Sequence, residues 1–544
     1  MTNKTNRVLS ALPYTLFFAI AAAWTVLTLS GAPQIVPTAD GGNVASIVAA
    51  ELHPDRFVDD PVFSQPQNFR FYQTLTIPAA AAIAHLTGDI GTAYMLLGLP
   101  MVLLQMVGFY LVGRKLFGGR FWPFVLAAVS IPPVYVFAGE LWGMLASPLT
   151  RSAFSAAFPF LLLAALYADR PWKVWLVMAL CGVSVYLHPV SAPSVAFGIL
   201  TMIIFAKPPQ TTWTRHLATA FLGGLIFIAC AVPFALGFMG SFANSTSSEV
   251  AATLTETLRA GVGDQYYNAF LASALFVGTV FGSPLWLLPV WCVAVAAPVI
   301  LLFKYKESRV LLILAFAIGL GLATVCITLL DQGIALARAS HPVQVDLIRN
   351  VRFFVPVLLI LLCWLMAAWS RRALIRPLPY LAGLALIGIW WLAYPNPIVG
   401  QNAFARPVTS QDDKRLLAFL SALPSGTRIL PLPYISNSEE ASLLALAIRY
   451  EALQPTTFLW KDMNFLAYSG SDSIVTWHDM AATLKAIDSG SSNPNALRNL
   501  LAKTSTRYVL VHRSSSQSTL SAVASTADEP ETFGDWQLFP VPSR

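Results

Sequence analysis

The chain has 544 residues, of which 56% are hydrophobic and 11% charged, with a net charge of +7 and a mean hydropathy of +0.63. Soluble globular domains carry roughly a quarter charged residues, so the bulk of this chain is excluded from that class. The excess positive charge does not mark a nucleic-acid partner, because it is collected in short stretches between apolar runs.

In chain order, apolar runs of about 20 residues predict eleven transmembrane helices. They fall near 12–32, 90–112, 121–139, 151–168, 172–187, 190–206, 216–238, 283–303, 309–330, 352–369 and 377–394. The first run lacks a small-residue cleavage site and reads as an uncleaved helix. Lys4 and Arg7 precede it; Arg114, Lys115 and Arg120, then Arg170 and Lys173, then Lys207 and Arg215 separate later spans. Lys304, Lys306 and Arg309 and the trio Arg371, Arg372 and Arg376 continue the series. All fall on one side when the amino terminus is cytoplasmic, which is the positive-inside pattern of an inner-membrane protein. The segments 37–76, 239–282 and 331–351 and the tail from about 396 then face outward. Cys181, Cys230, Cys292, Cys326 and Cys363 all lie within apolar runs and form no CxxC pair, which excludes a disulfide framework or a structural zinc.

The segment 37–76 is far longer than two helices need as a connection, and long loops in compact architectures are usually functional. Asp40 follows the first span and precedes a helix expected over Val44–Leu52. It could accept a proton from an acceptor hydroxyl at the lipid–water boundary, or it could belong to a turn with Asn43 capping the helix. The pair Asp59 and Asp60 could orient a sugar hydroxyl or bind a divalent cation with help from Glu51, His53 or Asp55; Pro61 equally suits a solvated turn. No unambiguous metal-ligand spacing is present, so the metal is left open. Arg70 and Tyr72 could meet a phosphate and a sugar, or anchor the chain at the membrane boundary.

Further polar residues stand at outer helix ends: Glu140, Arg151 and His188 before Pro189. Ionisable groups near membrane depth are functional candidates, although a helix end lets them reach water, and His188 also suits a turn. In the last outer loop, Arg338, Arg349 and Arg352 run against the positive-inside trend. Arg349 and Arg352 are three apart and share a helical face, so they could hold a lipid phosphate or pair with Asp331 or Asp346. No P-loop, GxSxG elbow or HExxH helix occurs.

Beyond Pro395-Asn396-Pro397 the composition turns soluble, predicting a small α/β or α+β domain over 396–544 after a membrane domain of 1–395. Ser410 caps an amphipathic helix, Asn495–Lys503 forms another, and Thr427–Leu432 and Arg507–His512 read as strands.

An acidic residue beyond the first span, a juxtamembrane helix, a long first outer loop and a soluble carboxy-terminal domain resemble the GT-C membrane glycosyltransferases. The runs LHPDRFVDDPVF, FRFYQTLTIP, GELWGM and YLHPVSAP also resemble a group of bacterial multi-span proteins. The resemblance implies a polytopic α-helical membrane protein that inverts configuration while moving sugar from a polyprenyl-phosphate or -pyrophosphate lipid. The acceptor would be an envelope glycan, lipid or protein at the outer face. Asp40 inherits the role of base, Asp59 or Asp60 that of a second acid, and Arg349 and Arg352 that of phosphate ligands. A Trp-Trp-Asp signature is missing, since Trp390-Trp391 is followed by Leu392, which disfavours protein N-glycosylation. The rival readings are a lipid-linked sugar flippase, which needs polar residues in mid-membrane, and an envelope scaffold.

Overall fold

The computed structural model describes residues 39–65, 68, 69, 74–137, 140–144, 150–242, 268–282, 284–337, 347–373, 375, 377–394, 410–432, 439–469, 473–493 and 495–542, with Thr15 and Ala19. The expected first span at 12–32 lies outside the described residues, apart from those two. The chain divides into two compact units. One comprises 1–28, 97–234 and 263–403; the other joins 29–96, 235–262 and 404–544. The segment 37–76 is therefore grouped with the carboxy-terminal tail.

The first unit is polytopic and helical. Among the described residues, five helices are long and apolar enough to cross a membrane: Ile90–Leu116, Trp213–Gly237, Leu285–Phe303, Val310–Ile334 and Leu347–Ser370. Shorter apolar helices include Arg151–Leu166, Pro171–Tyr186, Ser191–Phe205, Ala269–Gly282 and Leu378–Ala393. Large side chains such as Phe221, Phe303 and Leu392 are exposed on this unit, which leaves apolar faces for lipid to cover.

Two expected features are corrected here. The helix Ala269–Gly282 lies inside the segment 239–282, which the sequence suggested was loop throughout. The run 121–139 does not form one span: its helix is only Phe121–Val129. Pro132 and Pro133 lack backbone donors and stop it. The chain then enters a hairpin of β1 (Val134–Phe137) and β2 (Glu140–Trp142), antiparallel, pairing Val134 with Trp142 and Phe137 with Glu140. Gly143 turns away at φ +111°, where a Cβ would meet the carbonyl oxygen of Pro132 at 2.5 Å. Carbonyls freed at the end of the short helix are covered from elsewhere. Gln105 donates to Ser130 O at 2.7 Å and Trp391 donates to Ala128 O at 3.1 Å.

The hairpin sits in an aromatic core. Trp142 packs edge-on against Phe109 and Phe353, with centroids 5.9 and 5.5 Å apart, and Phe158 lies 5.1 Å from Phe353. Helix Val310–Gly321 packs closely on Ser191–Phe205, then widens into a π turn over Leu322–Cys326 before resuming as Ile327–Ala337. That π turn packs against a 3₁₀ helix, Leu347–Phe353, which leads into the buried helix Phe354–Ser370.

The second unit has a four-stranded sheet in the order β3-β4-β6-β5, with β3 (Ile429–Pro431), β4 (Tyr508–His512), β5 (Glu531–Phe533) and β6 (Trp536–Pro540). β3 runs parallel to β4, and β4–β6 and β5–β6 are antiparallel, an α+β arrangement. Ser410 and Asp413 form a reciprocal capping box on helix Gln411–Ala422. From the long loop comes helix Ala39–Leu52, which starts earlier than the expected Val44 and packs on helix Glu439–Tyr450.

Candidate functional site

Three arginines of the apolar unit gather on Glu140. Strand β2 carries this residue inward, and only 1% of its side chain is exposed. Arg349 Nη1 donates to Oε1 at 3.1 Å and Arg352 Nη1 donates to Oε2 at 3.0 Å. Arg151 Nη1, from the start of helix Thr150–Leu166, lies 3.7 Å from Oε2. Arg349 and Arg352 occupy the 3₁₀ helix, in which residues three apart eclipse one another, so both guanidinium groups can reach one carboxylate. Their shared partner is Glu140; Asp346 lies outside the described residues.

Further polar groups hold this arrangement. Arg352 Nη2 donates to Ser191 Oγ at 2.6 Å, and Asn350 Nδ2 donates to Val190 O at 2.7 Å and to Ser194 Oγ at 2.9 Å. His188, in the turn before helix Ser191–Phe205, accepts the Ser191 backbone N–H at Nδ1, 3.1 Å away. Burial, reinforced by the charges of Arg352, Arg151 and Arg349, holds this imidazole well below its ordinary value. It is therefore neutral at pH 7, which suits its role as acceptor.

Three guanidinium groups face the Glu140 carboxylate. Buried charge is tolerable only when paired and hydrogen-bonded. Among the described residues, Arg352 Nε and Asn350 Oδ1 are buried without a hydrogen-bond partner. Arg352 is 2% exposed, whereas Arg151 and Arg349 are 15% and 25% exposed and remain approachable. A partly open site lined by guanidinium groups is suited to an oxyanion such as phosphate, which the planar donor fork matches.

The acidic residues of the long loop fare differently. Asp60 is fully buried in the second unit. Its carboxylate accepts Arg449 Nε at 3.0 Å, Thr456 N at 3.1 Å, Val62 N at 2.9 Å and Phe63 N at 3.1 Å. No edge is left for a substrate, which corrects its assignment as a catalytic acid: it is an anchor. Asp462 completes the anchor, accepting Arg449 Nη1 at 2.5 Å and Nη2 at 3.0 Å. Asp59 is 61% exposed and 3.8 Å from Arg428 Nη2. Asp40 lies in the first turn of helix Ala39–Leu52 instead of before it, so Asn43 is a buried helical residue and not a cap. Arg70, Tyr72 and Arg338 lie outside the described residues. Among the described residues no three His, Cys, Asp or Glu side chains gather as metal ligands, so the divalent-cation reading gains no donor set.

Sequence reasoning missed Ser191, Asn350, Arg449 and Asp462. Asn350 had a signal, a polar side chain between two arginines at a membrane boundary. Arg449 had none, since a basic residue in a helix's last turn usually serves the helix dipole.

No protein-family model and no curated protein sequence matches the chain. Among solved structures it is similar to the arabinofuranosyltransferase AftD from Mycobacteria, with a TM-score of 0.51 and 15% identity over 97% of this chain. The chain spans 40% of the length of AftD. It is also similar to ArnT from Cupriavidus metallidurans in the apo state, with a TM-score of 0.50 and 12% identity over 98% of both chains. At these identities the likeness is one of fold: the chain has a fold similar to those of AftD and ArnT.

Proposed function

We propose that this protein is a membrane glycosyltransferase that takes its sugar from a polyprenyl-phosphate or polyprenyl-pyrophosphate donor at the outer face of the cytoplasmic membrane. The observation that carries the reading is the convergence of Arg151, Arg349 and Arg352 on buried Glu140, with Arg151 and Arg349 still partly exposed. In this reading Glu140 sets the guanidinium groups in place and the donor's phosphate meets the partly exposed Arg151 and Arg349. An acceptor hydroxyl attacks the anomeric carbon with inversion, and the bond to the phosphate oxygen breaks. The electron pair leaves on that phosphate, where the arginines stabilise it. Asp40 takes the proton of the attacking hydroxyl. His188, neutral and fixed by Ser191, keeps the wall beside Arg352 free of further positive charge. The acceptor is a glycan, lipid or protein of the envelope.

Two measurements test this on the full chain in lipid nanodiscs. Radiolabelled polyprenyl phosphate should bind the wild type, and Arg349→Ala should weaken that binding at least tenfold. Asp40→Asn should keep lipid binding while losing sugar transfer from a polyprenyl-phosphate sugar. Equal lipid binding by Arg349→Ala would remove the phosphate site, and full transfer by Asp40→Asn would remove the base.

A further inference from the structure

The second unit contains a cavity of about 650 Å³, bounded by the ends of helices Ala39–Leu52 and Thr76–Thr87, by helix Gln411–Ala422 and by the turn after Tyr450. That volume falls within the roughly 300–1,000 Å³ usual for small-molecule sites. Its polar wall consists of His53, His85, Asp89, Lys414 and Glu451, and its apolar wall of residues such as Leu52, Ala84 and Leu417.

Most of this polar wall is uncommitted. Asp89 caps the next helix through one oxygen, accepting Thr92 N at 2.6 Å. The side chains of His53, His85, Lys414 and Glu451 make no hydrogen bond or ion pair among the described residues. Tyr450, part of the wall, is 6% exposed and keeps its hydroxyl buried without a hydrogen-bond partner among those residues. His53, His85 and Asp89 are exposed and open to the cavity, while buried polar groups of a folded protein are ordinarily satisfied, so the unpartnered Tyr450 hydroxyl in this wall points to a ligand that reaches it.

The mixture of charges selects the ligand class. An anion would meet Asp89 and Glu451, and a cation would meet Lys414. A neutral molecule rich in hydroxyls can donate to the carboxylates, accept from the ammonium, do either with the imidazoles and lay its C–H faces on the leucines. We infer that this cavity is a saccharide-binding site, formed jointly by the long amino-terminal loop and the carboxy-terminal tail. It stands on its own geometry, whether or not the apolar unit transfers sugar.

The test uses the full chain in nanodiscs on an array of defined oligosaccharides, with the hits titrated by calorimetry. Ala418→Trp, at an exposed helix position lining the cavity, fills it with an indole; Glu451→Gln combined with Lys414→Ala removes its charges without filling it. A neutral oligosaccharide should bind the wild type, and each variant should bind it at least tenfold more weakly. Thermal unfolding identifies a variant that has lost its fold, and the other variant then decides. Retention of no oligosaccharide by the wild type overturns the inference. Undiminished binding by a folded cavity variant also overturns it, because the sugar must then sit elsewhere.

Discussion

Replacing Arg449 with Met removes the one cation between two buried carboxylates. Arg449 is fully buried, grips Asp60 through Nε and Nη2 and Asp462 through Nη1 and Nη2, and rests its guanidinium 4.9 Å from the centroid of Phe63. Removing one partner of a buried pair costs about 3–5 kcal/mol, because the other charge stays behind. Asp60 keeps three backbone N–H donors, so the loss falls mainly on Asp462. Burial already holds Asp462 above its ordinary value, against the pull of Arg449, so in the variant it takes up a proton. That places the cost at the low end, about 3 kcal/mol at pH 7. A carboxyl raised in the folded state becomes less destabilising as the pH falls, so the deficit should shrink at pH 5. Adding Asp462→Leu should recover most of it, since a well-packed apolar replacement of a buried pair is often neutral. Protease sensitivity of residues 410–542 in denaturant titrations reads these differences. Arg449→Met within about 0.5 kcal/mol of wild type, the scatter expected of an ordinary surface change, would refute the reasoning.

The other expectations are more local. Burial, the nearby Asp89 and, in opposition, Lys414 leave the Glu451 carboxyl raised to about 7. A raised carboxyl makes the folded state bind more protons than the unfolded one. Stability should therefore fall as the pH rises from about 4.5 to about 7, by at most about 3 kcal/mol, and Glu451→Gln should flatten that profile in unfolding titrations. Glu140→Gln leaves three guanidinium groups around a neutral amide; it should lower thermal stability and make polyprenyl phosphate a stronger stabiliser of the variant than of the wild type, as read by thermal shift. Gly143→Ala forces a Cβ against the Pro132 carbonyl in a left-handed conformation, and should cost about 1–3 kcal/mol, seen as a lower midpoint of thermal unfolding.

What the chain discloses in one dimension follows from how local each cause is. The capped helix at Ser410 and the strands near Ile429 and Tyr508 were legible because a serine cap and a short alternating run act over a few residues. The hairpin β5–β6 was also readable, through Gly534-Asp535 between two short runs, and was overlooked. The apolar run 121–139 hid its hairpin because hydropathy does not separate a helix from a buried strand; only the paired prolines did. Glu140, Arg151, His188, Arg349 and Arg352 could each be picked out as ionisable residues at helix ends. Their shared carboxylate could not, because hydrogen bonds across 209 and 212 residues are set by packing. Asp60 misled for the same reason: its partner Arg449 gives no sign of itself in sequence.

The 389 residues between Asp60 and Arg449 also set a timetable. At synthesis rates of about 5–20 residues per second, the partner of Asp60 emerges about 20–80 s after it. Throughout that interval the long loop holds Asp60 without its cation and helix Ala39–Leu52 without Glu439–Tyr450 to pack on. The intervening helices are thus made before the second unit can be completed. A truncation that ends before residue 439 would strand the loop in that state, exposed to proteases and chaperones.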